Sequence, residues 1–248
     1  MADKSVAVPD RQVSWWKRMV PLAVLIAILI AFFAFGLDKY ATFDTLKDNR
    51  EALLAFVRDN FVLAMLIYVA GYAVLTAASV PVASLVTVGG GFLFGIWLGT
   101  FVTVLAATIG ATVLFLFART ALGEPLRRRA GPYIRRMEEG FRENQVNYLL
   151  FLRLVPAFPF FAVNLVPAFL GVGTAVFTVT TFVGIIPGTA VYTIVGAGLG
   201  SVFDRGEEFS FNSILTPEII AALVGLGVLS LVPIAVKRLR RRSKRSDE

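Results

Sequence analysis

The sequence predicts an all-α membrane protein: an inverted repeat of a re-entrant loop plus a long transmembrane helix, flanked by N- and C-terminal transmembrane helices. Three observations predict it. Of 248 residues, 57% are hydrophobic and only 17% charged, against roughly a quarter charged in soluble domains. The charges fall between long apolar stretches and almost never inside them. The polar connectors alternate in the sign of their charge.

Taken in order, residues 1–18 are a basic N-terminus closing on Trp15, Trp16, Lys17 and Arg18, an aromatic and cationic anchor suited to the membrane interface. Residues 19–37 carry no charge and match the roughly 20 apolar residues that cross a bilayer. The run is long for a signal peptide, and no clear small-residue cleavage site follows it. Residues 38–60 form a connector. In it Phe43, Leu46, Leu53, Leu54 and Val57 recur at helical spacing, with Thr45 and Asp48 placed as a capping box.

Residues 61–200 form the core. Asn60–Ala118 has no charge, and Asn144–Phe203 has one, Arg153. The connector 119–143 between them holds seven arginines. Leu126, Ala130, Tyr133, Ile134, Met137 and Phe141 fall on one side of it. That pattern predicts an interfacial amphipathic helix able to hold anionic headgroups. After an acidic loop, 201–218, Thr216-Pro217-Glu218 opens a last helix over 219–236. The tail 237–248 is strongly basic.

The positive-inside rule puts 1–18, 119–143 and 237–248 in the cytoplasm, of a bacterial-type inner (plasma) membrane. Each long apolar block then crosses an odd number of times. Pro81, Gly89, Gly90, Gly91 and Gly95 interrupt the first block; Pro156, Pro159, Pro167, Gly171 and Pro187 interrupt the second. Broken backbone inside a bilayer is tolerated only where protein or a watery cavity covers it. This composition favours a re-entrant hairpin plus a long span over three thin spans. Kinked ordinary helices packed through small residues are the rival.

An offset of 76 lays Phe92-Leu93-Phe94-Gly95 on Ala168-Phe169-Leu170-Gly171, and Phe101 on Phe177. Few identities survive, and apolar stretches match easily by chance. The charge pattern separately makes the two blocks run in opposite directions. Inverted repeats with broken helices characterise secondary transporters.

The chain has no Cys and no His. That removes disulfides, thiolate chemistry and imidazole acid–base steps. With no carboxylate in the apolar blocks either, neither an enzyme nor a cofactor is expected. The formal charge of +7 sits beside apolar runs, so the partner it implies is a membrane surface, not nucleic acid.

Three stretches together resemble the VTT-domain, or DedA/SNARE-associated Golgi protein, family. They are Gly90-Gly91-Phe92-Leu93-Phe94-Gly95…Gly99, then Gly110-Ala111…Phe117-Ala118-Arg119…Gly123, then Phe151-Leu152-Arg153-Leu154-Val155-Pro156…Pro159…Asn164…Gly171 followed by Gly184…Pro187-Gly188. The resemblance covers about half the chain. It implies two opposed re-entrant loops between long helices and a role in moving lipids across or between leaflets. Some bacterial relatives carry acids in the first loop, tied to proton coupling. This chain has none between Asn60 and Ala118, which speaks against proton-driven transport here.

Arg153 is the sharpest feature. An intramembrane Arg costs at least about 2.5 kcal/mol and ordinarily faces a cavity, a partner or a ligand. A phosphate would satisfy its planar fork; snorkelling to the headgroups is the plainer alternative. Arg119 ends a span, where it either snorkels or lines the mouth of the same cavity. Asn164 stands between prolines, to cap broken helix or to touch cargo. Pro81, Gly89, Gly90, Gly91, Gly95, Pro156, Pro159, Gly171 and Pro187 are read as shaping the re-entrant breaks.

The function expected is a flippase or scramblase-like transporter of a phosphate-bearing lipid, through a cavity between the re-entrant loops. A small-anion or solute transporter is the alternative, and a non-transporting membrane organiser the third. Partners are membrane lipids, anionic or phosphate-bearing; a homo-oligomer stays open.

Overall fold

The computed structural model describes residues 15–40, 42–123, 141 and 143–204, and of the last segment 217, 219–221, 224–225, 227–232 and 234. Most of 1–18, of the connector 119–143 and of the loop 201–218, and all of the tail 237–248, lie outside the described residues. So does part of the expected helix 219–236. Among the described residues every regular element is helical.

Helix α1 is Trp15–Ala34. Where the pattern predicts one amphipathic helix over 43–57, there are two, α2 (Phe43–Asp48) and α3 (Arg50–Asp59). The cap is Thr42, whose Oγ1 accepts the Thr45 N–H at 3.1 Å, so Thr45 lies inside α2 and does not cap. The chain breaks at Asn49, whose side chain donates to the Thr45 carbonyl at 2.9 Å and competes with the helical ladder. Helix α4 (Phe61–Ala77) then leaves α3 at 116°.

Helix α4 ends in a Schellman motif. The Val80 N–H donates to Leu75 O at 2.9 Å, the Ser79 N–H to Thr76 O at 3.0 Å, and Ser79 takes the left-handed conformation at φ 57°. Buried Val80 packs with Leu75, the contact that accompanies this motif. Pro81 follows, and α5 (Ala83–Ala118) begins.

Helix α5 is two arms, 83–94 and 96–118, joined at Gly95 (φ 75°, ψ −178°). That region of backbone space is essentially open only to glycine. In a straight helix, nine residues would hold Gly90 and Gly99 about 13 Å apart. Instead a Cβ on Gly99 would lie 2.7 Å from the Gly90 carbonyl oxygen. The chain therefore doubles back at Gly95. Phe94 in turn lies against Phe61 and Tyr68, with ring centroids at 6.4 and 5.3 Å. So α4 and arm 83–94 form a helical hairpin with its tip at Ser79–Val82, and arm 96–118 departs from the open end.

The second apolar block follows the same order. Helix α6 (Gln145–Leu154) runs to a link containing Pro156 and Pro159, and α7 (Phe160–Phe169) returns from it. A second Schellman motif ends α7: Gly171 has φ 68°, and the Val172 N–H reaches Pro167 O at 3.2 Å. Helix α8 (Thr174–Asp204) completes the block. The offset of 76 thus carries one positive-φ glycine, Gly95, onto another, Gly171.

Two sets of expected breaks stay helical. Gly89, Gly90 and Gly91 lie inside arm 83–94. There Gly90 makes room for Tyr68, and Gly91 lies against the Thr193 backbone. They act as small residues that admit neighbours, and the turn falls at Gly95. Pro187 lies within α8, as Pro167 lies within α7. A lost N–H of this kind is tolerated in a helix packed among others.

The two long helices run antiparallel. Thr100 pairs with Thr193 at 2.6 Å, and Thr112 with Thr178 at 3.1 Å. Phe101 meets Phe182, and Phe115 stacks on Phe177 at 4.2 Å. The returning arm of each hairpin packs on the other half's long helix. Gly196 lies against the Val88 backbone, while Ala168 of α7 joins Phe115 and Ala118 in one buried cluster. Among the described residues two helices, Ala83–Ala121 and Thr174–Gly200, are long and apolar enough to cross a membrane, or three spans if bent α3–α4 counts as one. The first folds back at Gly95, so its crossing portion is 96–118, about 34 Å of helix against a core of about 30 Å.

Candidate functional site

The three polar residues singled out in the sequence surround one core cluster. Its centre is the Phe115–Phe177 stack, with Ala111, Ala118, Leu149, Ala168 and Val172 around it, all buried.

Arg153 lies near the end of α6, beside the link that turns into α7. Its Nη2 donates to Thr181 Oγ1 at 2.8 Å, and its guanidinium carbon sits 5.1 Å from the centre of the Phe177 ring. Its stem lies over Gly184, where a Cβ would meet the Arg153 Cβ at 2.8 Å. The head is thus held on α8 by a hydroxyl and a ring face, with no carboxylate on it among the described residues. A cation over an aromatic face contributes about 0.5–2 kcal/mol.

Arg119 follows the last residue of arm 96–118 and is exposed. Its Nη1 donates to Thr174 Oγ1 at 3.2 Å, at the start of α8. Thr174, Phe177, Thr181 and Gly184 recur every three or four residues, so they share one face of α8. Arg119 and Arg153 therefore grip the same face, on either side of Phe177.

Asn164 on α7 is fully buried. Its Nδ2 donates to the Phe160 carbonyl at 3.0 Å, while its Oδ1 has no partner among the described residues. Pro167, lacking an N–H, also leaves the Val163 carbonyl without its usual helical donor. Asn164 thus adds acceptor capacity beside a core that Ala168, one turn on, helps to build.

The first hairpin carries a different polar set, which sequence reasoning missed. The Tyr68 hydroxyl donates to the Val86 carbonyl at 3.0 Å and pairs with Thr103 at 2.6 Å. The Tyr72 hydroxyl pairs with Thr87 at 2.9 Å, and Thr87 donates to the Ala83 carbonyl at 2.7 Å. The available signal was the i, i+4 spacing of Tyr68 and Tyr72 within an otherwise apolar helix. The Phe115–Phe177 stack and the Thr174/Thr181 anchors were missed too, because each joins residues far apart in sequence.

A two-hairpin, all-helical core whose two long antiparallel helices are of crossing length defines a helical membrane protein. Residues 80–198 match the VTT domain, from the first hairpin's tip to near the end of α8, so the chain carries a VTT domain. It is similar to transmembrane protein 41B of Homo sapiens, 29% identical over 204 residues, spanning 79% of this chain and 68% of that protein. It is also similar to the transmembrane protein 41 homolog of Dictyostelium discoideum, 28% identical over 200 residues. There the match spans 79% of this chain but only 58% of the relative's length. The Danio rerio transmembrane protein 41B is 26% identical over 202 residues, spanning 77% of this chain and 69% of that protein. No solved structure matches.

Proposed function

We propose that this chain is a lipid transporter, flippase- or scramblase-like, that moves a phosphate-bearing lipid past two opposed re-entrant hairpins. In this reading α4 with arm 83–94, and α6 with α7, are re-entrant loops related by an inverted repeat. The membrane is a bacterial-type inner membrane with both termini cytoplasmic, so the Arg119 end of the bundle faces the cytoplasm.

The observation that carries the proposal is the pair of arginines on one face of α8. Their anchors, Thr174 and Thr181, are seven residues apart, about 10 Å of helix. That is about a third of the hydrocarbon core. Arg119 is exposed and Arg153 half-buried, and the apolar block that holds Arg153 contains no acid to compete for it. A phosphate received at Arg119 and passed to Arg153 would make that descent with charge-assisted hydrogen bonds at both stations. Arg153 is free to swing because it forgoes only a hydroxyl bond and a ring contact. The open Oδ1 of Asn164 supplies an acceptor for a headgroup hydroxyl or for water. No covalent step is required, so no catalytic residue is assigned.

Reconstitution in vesicles carrying a fluorescent phospholipid tests the proposal. With membrane-impermeant dithionite added outside, inner-leaflet lipid should be bleached faster in vesicles holding the chain than in empty ones, and no faster in vesicles holding Arg153→Ala. Uptake of labelled small anions without lipid movement would select the solute transporter. Neither activity would select a membrane organiser.

A further inference from the structure

The two long helices leave a groove of about 450 Å³ away from the face that Arg153 grips. Leu105, Ile109 and Val113 form one wall, Val179 and Phe182 the other. The hydroxyls in it are already engaged: Thr112 pairs with Thr178 at 3.1 Å, and Thr108 donates to the Val104 carbonyl at 2.7 Å. It therefore has little to offer a polar ligand. Leu105, Ile109 and Val179 are exposed, so the groove opens outward, where a spanning helix meets hydrocarbon.

One wall continues to a cation. Leu105, Ile109, Thr112, Leu116 and Arg119 recur every three or four residues, a single stripe along arm 96–118. From Leu105 to Arg119 is about 21 Å of helix. One leaflet with its headgroups is also about 21 Å, half of the bilayer's 40–45 Å. The groove itself follows about 12 Å of helix from Leu105 to Val113. An acyl chain lying along it places its headgroup at the level of Arg119.

We infer that this stripe is a binding site for one phosphate-bearing lipid, with the phosphate on Arg119 and one acyl chain in the groove. A soluble anion has no use for the groove, and a plain alkyl chain has none for Arg119. Only an amphiphile of leaflet length uses both. The site requires that the chain sit in a bilayer; it does not require that the lipid be translocated.

Native mass spectrometry of the full chain, extracted in mild detergent with equimolar phosphatidylethanolamine and phosphatidylglycerol, tests it. Wild type should retain one lipid. Ile109→Trp and Val179→Trp fill the groove, and each should lower retention about tenfold; exposed Arg119→Gln should do the same by removing a charge-assisted bond. Val62→Trp, exposed on α4, should change nothing. Inorganic phosphate should not displace the lipid. Retention unaffected by both groove variants, or by Arg119→Gln, overturns the site, as does displacement by inorganic phosphate. A wild type that holds lipid without moving it supports this site while defeating the transport proposal. Lipid movement with no retained lipid does the reverse.

Discussion

The two hairpins share an order of parts but not a chemistry. In the first, Tyr68, Tyr72, Thr87 and Thr103 bond one another and the backbone carbonyls of arm 83–94. Every group in that network is neutral and engaged. In the second, Arg153 brings a full charge to the interior with one hydroxyl bond and Asn164 keeps an unpartnered oxygen, both among the described residues. A satisfied polar network stiffens a fold; an unsatisfied one is retained at a cost in stability. The buried Thr76 hydroxyl of the first hairpin also has no partner among the described residues, so what separates the two is the charge; under the proposed function the first hairpin is the scaffold and the second the working part.

That contrast can be broken by substitutions, the strongest first. Each hairpin meets α8 at a glycine, but the atoms met differ. At Gly196 a Cβ would strike the Val88 backbone, which cannot retreat; at Gly184 it would meet the Arg153 stem. Gly196→Ala should lower stability by about 3 kcal/mol, read as thermal unfolding in detergent. Gly184→Ala should cost less stability and more lipid movement; equal stability losses would remove the distinction. Next, Arg153→Lys keeps the charge but loses the planar fork and the stacking on Phe177. About a tenfold loss of transport rate is expected, with unfolding unchanged. A wild-type rate would show that charge alone suffices.

In the scaffold, Tyr68→Phe leaves the Thr103 hydroxyl without its partner and removes the second donor to the Val86 carbonyl. It should cost about 1 kcal/mol of stability and leave the transport rate alone. The smallest effect is expected at Ser79, a non-glycine residue held at φ 57°. Ser79→Gly should relieve the strain and stabilise by about 0.5 kcal/mol. A fall in melting temperature would mean that the Ser79 side chain supports the hairpin tip.

Much of this architecture was legible because it depends on residue types with few uses. Gly95 and Gly171 stand where only glycine is comfortable, and an offset search finds them as a pair. Pro81, Pro156 and Pro159 fall in the links because proline ends ladders. Arg153 stands out as the one charge in its block. The misreadings share a cause. Gly89–Gly91 and Pro187 are residue types that can break a helix, but whether they do depends on what packs against them. Gly91 admits the Thr193 backbone, a contact across about a hundred residues. The Thr45 cap failed for a local reason, since Thr42 was better placed. The hydroxyl network was illegible because Tyr and Thr in an apolar run look the same whether they face lipid or a partner helix.

The central claim is that charge in the second hairpin drives function while hydroxyls in the first hold the fold. The most direct test compares lipid-movement rates of Arg153→Ala and Tyr68→Phe, reconstituted in equal amounts in the same vesicles. The account predicts that Arg153→Ala falls to the rate of empty vesicles while Tyr68→Phe keeps the wild-type rate. Full movement by Arg153→Ala, or its loss in a folded Tyr68→Phe, would contradict it.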